Sequence, residues 1–279
     1  MDFWKMQGCG NDFILVDGRF DGRSNDSYSS DAEKYCSRKF SIGADGLIIV
    51  KESDIADVTM VYYNADGSRA AMCGNGIRCF SKYVLENNIV DKTTFTVETL
   101  NGIKEIDTDF INYKVDSICV YMGEGQYNPE LIPMIDKYHS QKSVINEKII
   151  VLDREFEISA VLMGVPHTVI FVNDEMSIEE VEKYGKEIEN YNIFPKRTNV
   201  NFVKVIDRDN IFVQTWERGC GYTFGCGTGM TAAAMVSSLL DKTNDKVKVT
   251  CSGGNVEITL TDTGAYMKGS AEKVYKGTL

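Results

Sequence analysis

Two cysteines in this chain occur in the same local pattern. Cys73 is followed by Gly-Asn-Gly and Cys226 by Gly-Thr-Gly, and a helix-compatible segment follows each motif, from Ile77 in the first and from Met230 to Leu240 in the second. Glycines at a helix start leave backbone N–H groups uncovered, and together with the positive end of the helix dipole these groups favour an anion. The same environment favours a thiolate and lowers the pKa of a cysteine below its reference value of about 8.5. The pattern therefore predicts two activated thiols, each beside an anion site.

The residues upstream of the two cysteines also match in position. Asn64 precedes Cys73 by nine residues, and Glu217 precedes Cys226 by nine. One Gly-x-Gly after a cysteine is typical of a tight turn that opens a helix, but two matched copies favour a chemical role. Two thiols suit inversion of a stereocentre through a carbanion, because one removes a proton from one side and the other delivers a proton to the opposite side. The charge that develops on a substrate carboxylate would be stabilised by backbone N–H groups of Gly74, Asn75, Gly227 and Thr228.

Composition narrows the partners and the cellular compartment. The 279 residues carry a net charge of −11 with a sequence pI of about 4.8, so we expect neither a nucleic acid nor an anionic membrane as partner. No apolar run reaches the roughly 18 residues of a membrane helix, and the first residues lack the pattern of a signal peptide. We therefore expect a cytoplasmic protein with reduced thiols. None of the eight cysteines forms a Cys-x2-Cys pair, and the chain has only two histidines. We therefore predict no metal site.

The two halves of the chain repeat a series of local patterns in the same order. Each half contains short strands, and an apolar helix follows its cysteine. The repeats indicate a duplicated unit with a central helix in each half, with Cys73 and Cys226 presented from opposite sides of one cleft. The matched segments are 6–8 with 163–164, 102–106 with 254–258, and 121–123 with 266–269.

Capping signals predict two further helices. Ser30 and Glu33 have the spacing of a capping box, which predicts a helix from Ser30 through about Phe40. Ser177 and Glu180 have the same spacing at the start of a second amphipathic segment. The domain organisation predicted from these patterns is an N-terminal lobe (1–122), a C-terminal lobe (123–262), and a C-terminal strand segment (263–279) that packs back on the first lobe.

These motifs resemble those of the diaminopimelate epimerase family. The resemblance rests on the block Asn-Ala-Asp-Gly-Ser before Cys73 with Gly-Asn-Gly-x-Arg-Cys after it, on the opening Met-x-Gly-x-Gly-Asn-Asp-Phe, and on Glu-Arg-Gly-x-Gly with Cys-Gly-Thr-Gly. It spans essentially the whole chain. It implies an α+β fold of two pseudo-symmetric lobes, each a curved and mostly antiparallel sheet around a central helix. It also implies epimerisation without pyridoxal phosphate or any other cofactor.

The resemblance implies a role for each matched residue. Cys73 and Cys226 would be the acid/base pair that converts LL-2,6-diaminopimelate into meso-diaminopimelate, for lysine and peptidoglycan precursor synthesis. His167 and Glu217 would help to set the pKa values of the two thiols. The distal end of the substrate would be held by Asn11, Asn64, Asn199 and Arg218. The reacting end would be held by Glu217 with Gly74, Asn75, Gly227 and Thr228.

The chain departs from the family pattern at three places. Val165 stands where the family has an asparagine that contacts the distal end of the substrate, and valine cannot form that hydrogen bond. Tyr222 replaces a glutamate, and Gly225 replaces the alanine before the second cysteine. The alternatives are therefore a cofactor-independent racemase of another amino acid, a dithiol redox sensor, or an amino-acid binding protein. Either a monomer or a homodimer is compatible with these features.

Overall fold

The chain forms two compact units in a computed structural model that describes residues 1–278. One unit comprises Met1–Tyr121 together with the chain from Lys268 onward, and the other comprises Met122–Met267. Each unit is a mixed sheet with two helices. Within residues 1–278, every helix is too short or too polar to cross a membrane.

The strands and helices follow one another in a repeated order. The first part of the chain, up to Gly123, contains β1 (Asp2–Gly8), β2 (Asn11–Asp17), α1 (Ser29–Cys36), β3 (Gly46–Lys51), β4 (Val58–Asn64), β5 (Arg69–Ala70), α2 (Gly74–Glu86), β6 (Thr94–Thr99), β7 (Gly102–Ile111) and β8 (Lys114–Gly123). Then come β9 (Glu147–Val151), β10 (Arg154–Met163), β11 (Val165–Phe171), α3 (Ile178–Glu189), β12 (Asn199–Asp207), β13 (Asn210–Glu217), β14 (Gly221–Thr223), α4 (Gly227–Leu239), β15 (Lys246–Cys251), β16 (Gly254–Thr261), β17 (Gly264–Gly269) and β18 (Glu272–Thr278).

The sheet of the first unit contains two parallel pairs, each bridged by a helix. The pairs β2–β3 and β4–β6 are parallel, and α1 and α2 are the respective crossovers. A parallel pair needs such a long connection, whereas antiparallel neighbours are joined by short turns. The other pairs, namely β1 with β18 and β2, β3–β4, β4–β5, β6–β7 and β7–β8, are antiparallel.

The second unit repeats most of this pairing. Here β11–β12 and β13–β15 are parallel across α3 and α4, and β14 pairs with the end of β13 as β5 pairs with β4. The antiparallel pairs β9–β10, β10–β11, β12–β13 and β15–β16 complete the match. The predicted duplication and α+β class are thereby confirmed. The two cysteines consequently precede equivalent helices, α2 and α4.

The helices that follow the cysteines are the buried ones. Ten of the 13 residues of α2 and nine of the 13 residues of α4 are buried, which is typical of a helix covered on most sides. On β3, Leu47 and Ile49 pack in a cluster with Ala32 of α1, whereas Ile48 lies against Gly76 of α2. Because side chains alternate between the two sides of a strand, the sheet packs α1 on one side and α2 on the other.

The two capping predictions had different outcomes. The capping box of Ser177 and Glu180 is confirmed at the start of α3. The helix predicted from Ser30 is confirmed, but its capping box and its end at Phe40 are wrong, because α1 starts at Ser29 without a side-chain cap and ends at Cys36. Tertiary contacts explain the difference: the Ser29 hydroxyl donates to the Gly67 carbonyl, and Glu33 packs beside Gly67.

Candidate active site

Cys73 is the N-cap residue of α2. Its backbone is extended (φ −137°, ψ 124°), and its Sγ accepts a hydrogen bond from the Gly76 amide at 3.5 Å. A sulfur that accepts from the first turn of a helix is stabilised as a thiolate by that hydrogen bond and by the helix dipole. Cys73 is half-buried, so part of its side chain is accessible to solvent.

Cys226 occupies the equivalent position before α4 and has different contacts. Its backbone is also extended (φ −113°, ψ 114°), but its Sγ lies 3.4 Å from the Thr228 hydroxyl oxygen. The side chain is buried, with 9% of the residue exposed. The two thiols therefore share a backbone position and differ in hydrogen bonding.

The polar residues nine positions upstream also occupy equivalent places. Asn64 is the last residue of β4 and Glu217 is the last residue of β13. The Asn64 side-chain amide donates to the Ser68 hydroxyl at 3.0 Å, and Glu217 Oε1 accepts from the Thr223 hydroxyl at 2.7 Å. Each side chain thus stabilises the turn that leads from its strand towards its cysteine.

A chain of side-chain amides joins α2 to β2 in the first unit. Asn75, which is 1% exposed, donates from Nδ2 to Asn11 Oδ1 at 2.6 Å. Asn11 donates in turn to Asp45 Oδ2 at 3.2 Å. The side chain of Asn75 therefore fixes the orientation of Asn11 from within the core.

Arg78 belongs to the Cys73 block but received no role from the sequence. It is completely buried, and its Nη2 donates to Asn75 Oδ1 at 2.9 Å and to Cys9 Sγ at 3.2 Å. Its Nε donates to the Ser270 carbonyl at 3.2 Å. The signal in the sequence was its spacing of three residues from Asn75, which places both side chains on one side of a helix.

In the second unit, Asn199 holds the residue expected to bind the distal carboxylate. Asn199 is buried, and its Oδ1 accepts from the Arg218 amide at 2.9 Å while its Nδ2 donates to the Pro166 carbonyl at 2.9 Å. The Arg218 guanidinium donates from Nη1 to the Lys196 carbonyl at 3.0 Å. The hydrogen bond to Asn199 thus fixes the backbone of Arg218. Because the residue is only half-buried, its guanidinium reaches solvent.

His167 lies beside Asn199 on the neighbouring strand and is fully buried. Asn201 donates from Nδ2 to the Thr168 carbonyl and to His167 Nδ1, both at 3.2 Å, and its Oδ1 accepts from the Thr215 hydroxyl. This arrangement assigns the imidazole proton to Nε2, which has no hydrogen-bond partner within residues 1–278. Burial, assisted by the charge of Arg218, lowers the pKa of His167 to about 3. The imidazole is therefore neutral at physiological pH, and Nε2–H is a buried donor.

Sequence comparison relates the whole chain to one family. Residues 3–127 and 159–274 match the profile of diaminopimelate epimerase. The diaminopimelate epimerase of Alkaliphilus metalliredigens (strain QYMF) is 44% identical over 279 residues, covering 99% of this chain and 96% of that protein. The corresponding protein of Clostridium perfringens (strain 13 / Type A) is 44% identical over 281 residues, with coverage of 100% and 99%. That of Methanocaldococcus jannaschii is 41% identical over 292 residues, with coverage of 100% and 98%.

Solved structures share the fold at much lower sequence identity. A phenazine biosynthesis protein of the PhzF family from Bacillus anthracis has a TM-score of 0.73 and 16% identity, covering 99% of this chain and 98% of its own. A probable proline racemase from Agrobacterium radiobacter K84 has a TM-score of 0.72 and 13% identity, with coverage of 100% and 92%. At these identities the likeness concerns the fold alone.

Proposed function

Because the chain belongs to the diaminopimelate epimerase family, we propose that this isomerase converts LL-2,6-diaminopimelate into meso-diaminopimelate. The observation that carries the proposal is the pair of cysteines at equivalent helix starts, found in a chain that aligns along its whole length with diaminopimelate epimerases. The product would supply lysine and peptidoglycan precursor synthesis. We place this reaction in the cytoplasm.

The proposed chemistry is a proton transfer by two thiols. In one direction the Cys73 thiolate removes the α-proton, the carbanion charge moves into the substrate carboxylate, and the Cys226 thiol delivers a proton to the opposite side of the carbon. In the reverse direction the two thiols exchange roles. The proton count is unchanged over one turnover, and the two cysteines only exchange which of them is ionised. No cofactor takes part in this proposal.

Stabilisation of the carbanion is assigned to the two helix starts. Backbone N–H groups in the first turns of α2 and α4 would donate to the substrate carboxylate as it gains charge. A helix terminus contributes about 0.3–1 kcal/mol when exposed and up to about 2 kcal/mol when partly buried. Several donors at two such termini are therefore needed, and the proposed donors are the backbone N–H groups of Gly74, Asn75, Gly227 and Thr228. The Glu217 carboxylate would accept from the substrate ammonium group.

The distal end of the substrate is assigned to amides and one guanidinium. Asn11, Asn64 and Asn199 are placed by their hydrogen bonds to other protein groups, and Arg218 offers the charge that a second carboxylate requires. Because His167 is neutral, we propose that it acts on a thiol as a hydrogen-bond donor through Nε2 and not as a cation. Glu217 would act on thiol basicity through its charge. The substrate is the only partner that this proposal requires, and it holds for a monomer or a homodimer.

The test is epimerisation of purified LL-diaminopimelate, with α-proton exchange followed in deuterated water. We expect Cys73→Ser and Cys226→Ser each to abolish epimerisation while remaining folded, since a hydroxyl is far less acidic than a thiol. Cys119→Ser on β8 is the matched control and should retain full activity. Full activity in either of the first two variants would remove that thiol from the mechanism. Exchange with another amino acid but not with diaminopimelate would identify a different racemase.

A further inference from the structure

Glu189 is a buried carboxylate at a position where a helix does not favour one. It is the last residue of α3, and 4% of its surface is exposed. A carboxylate at the C-terminal end of a helix meets the negative end of the dipole, and burial removes its water. Its presence there therefore has to be compensated by donors from elsewhere in the fold.

Three donors from three other segments reach this carboxylate. Oε2 accepts from Trp216 Nε1 at 2.7 Å, and Oε1 accepts from Arg197 Nη1 and from the Gly219 amide, both at 3.1 Å. Arg197 lies before β12, Trp216 is near the end of β13, and Gly219 is in the turn before β14. Glu189 thus connects α3 to the turn that follows β13.

The turn that Glu189 reaches carries two of the residues proposed to bind substrate. Its successive amides are all held: Arg218 N by Asn199 Oδ1, Gly219 N by Glu189 Oε1, and Cys220 N by the Glu217 carbonyl at 3.0 Å. Because these hydrogen bonds fix the backbone of the turn, the side chains of Glu217 and Arg218 extend from one defined backbone conformation.

Trp216 packs between α3 and the same turn. The helix approaches the indole closely, since a Cβ at Gly185 would lie 2.6 Å from Trp216 Cβ. On the turn side, a Cβ at Gly221 would lie 3.7 Å from the indole ring. The hydrogen bond from Nε1 to Glu189 fixes the indole between these two contacts.

We propose that Glu189 is a positioning residue for Arg218, acting through the Trp216 indole and the Gly219 amide. This inference rests on the proposed function, in which Arg218 holds the distal carboxylate of the substrate and Glu217 its reacting end. Glutamine at this position keeps one acceptor oxygen, but its NH2 group would face one of the N–H donors that now bind the carboxylate. It therefore disrupts the arrangement without changing the size of the side chain.

The experiment measures KM and kcat for diaminopimelate in Glu189→Gln and in Glu187→Gln. Glu187 is an exposed glutamate of the same helix and is the matched control. We expect Glu189→Gln to raise KM about tenfold, with kcat changed by less than about threefold, because the distal carboxylate is remote from the reacting carbon. Glu187→Gln should match the wild type. Glu189→Asp retains the charge and shortens the reach, so it provides a second variant with the same expected direction.

A double-mutant cycle separates positioning from a loss of stability. In an Arg218→Met background, Glu189→Gln should change KM by less than about twofold, because the residue through which it acts is absent. An equal rise in KM in both backgrounds, or an unchanged KM in a folded Glu189 variant, would overturn the inference. Absence of epimerisation by the wild type would overturn the proposed function instead.

In a Trp4→Phe background, the emission of Trp216 should change in Glu189→Gln and not in Glu187→Gln.

Discussion

The side-chain amide of Asn75 donates to the side-chain oxygen of Asn11 over 2.6 Å, which links the first turn of α2 to the first residue of β2. Asn75 itself is held by the buried guanidinium of Arg78. The residue next to the proposed anion site at the helix start therefore also orients a residue assigned to the distal end of the substrate. A single core interaction couples two parts of the proposed site.

The first prediction concerns this coupling. Asn75→Asp keeps the shape and the acceptor for Arg78, but it removes the donor to Asn11 and adds a negative charge where a substrate carboxylate would bind. Loss of a neutral hydrogen bond costs about 0.5–1.5 kcal/mol, so we expect kcat/KM for diaminopimelate to fall by about twofold to tenfold from this loss and further from the added charge. Asn101→Asp, in the exposed turn after β6, is the control and should have no effect. Wild-type efficiency in Asn75→Asp would contradict the coupling.

The second prediction compares two equivalent glycines. A Cβ at Gly229 would lie 2.3 Å from Asn201 Oδ1, whereas a Cβ at Gly76 would lie 3.2 Å from the terminal carbon of Ile48 and 3.3 Å from Cys73 Cβ. Asn201 is fully buried and held by hydrogen bonds to Thr215 and Thr168, so it cannot move aside as a flexible side chain would.

The expected stabilities follow from those contacts. Alanine is favoured over glycine in a helix by about 1 kcal/mol, which offsets a mild contact at Gly76 but not the overlap at Gly229. We expect Gly76→Ala to change the free energy of unfolding by less than about 1 kcal/mol and Gly229→Ala to lower it by about 2–3 kcal/mol. Urea denaturation of both variants measures this difference. Equal stability of the two would show that the Asn201 network yields to a methyl group.

The third prediction is the pH dependence of stability caused by His167. Its pKa is about 3 in the folded state because of burial, against an ordinary value of 6.5. Between those values the unfolded chain binds a proton at His167 and the folded protein does not, so stability rises with pH through this window. The contribution is fully present above about pH 6.5 and is lost as the pH falls towards 3, by at most about 1.4 kcal/mol per pH unit.

Denaturant unfolding at pH 7 and pH 5 tests this origin. His167→Gln removes the titration, so the loss of stability between these two pH values should be smaller in that variant than in the wild type by about 1–2 kcal/mol. His139→Gln, at the other histidine of the chain, should retain the wild-type pH dependence. An identical pH dependence in His167→Gln and the wild type would assign the effect to other groups.

The sequence predicted the elements that depend on local signals. The starts of α2 and α4 follow from Gly-x-Gly after each cysteine, and the start of α3 follows from the capping box of Ser177 and Glu180. The two-residue β5 and three-residue β14 are too short to show a periodicity. Each depends on a turn that the side chain of Asn64 or Glu217 stabilises. The end of α1 depends on the Gly43 and Ala44 amides, which donate to the Tyr35 and Cys36 carbonyls and which no local signal reports.

The buried charges could not be predicted for a related reason. Arg78 and Glu189 have the residue types of a helix surface, and their burial is decided by partners far along the chain. Arg78 donates to Ser270, 192 residues away, and Glu189 accepts from Trp216, 27 residues away. Spacing alone placed Arg78 beside Asn75, but only the fold shows that its guanidinium lies in the core.

The fourth prediction concerns selection of the substrate by Arg218. Its backbone is fixed by Asn199, and its guanidinium donates to the Lys196 carbonyl while remaining half-exposed. Hydrogen bonds to charged groups contribute about 1.5–3 kcal/mol, so Arg218→Met should lower kcat/KM for diaminopimelate by about tenfold to a hundredfold. Arg218→Lys keeps the charge without the planar fork and should fall between Arg218→Met and the wild type.

Two further variants show whether the effect depends on the distal carboxylate. Val165→Asn adds one neutral hydrogen bond, so it should change kcat/KM by no more than about tenfold. Arg208→Met removes an exposed arginine paired with Asp241 and should have no effect, which controls for the loss of a surface charge. All variants are assayed with diaminopimelate and with lysine, glutamate and histidine. If the wild type prefers a substrate without a distal carboxylate and Arg218→Met leaves that preference unchanged, then Arg218 does not read the substrate, and a racemase of another amino acid explains the site better.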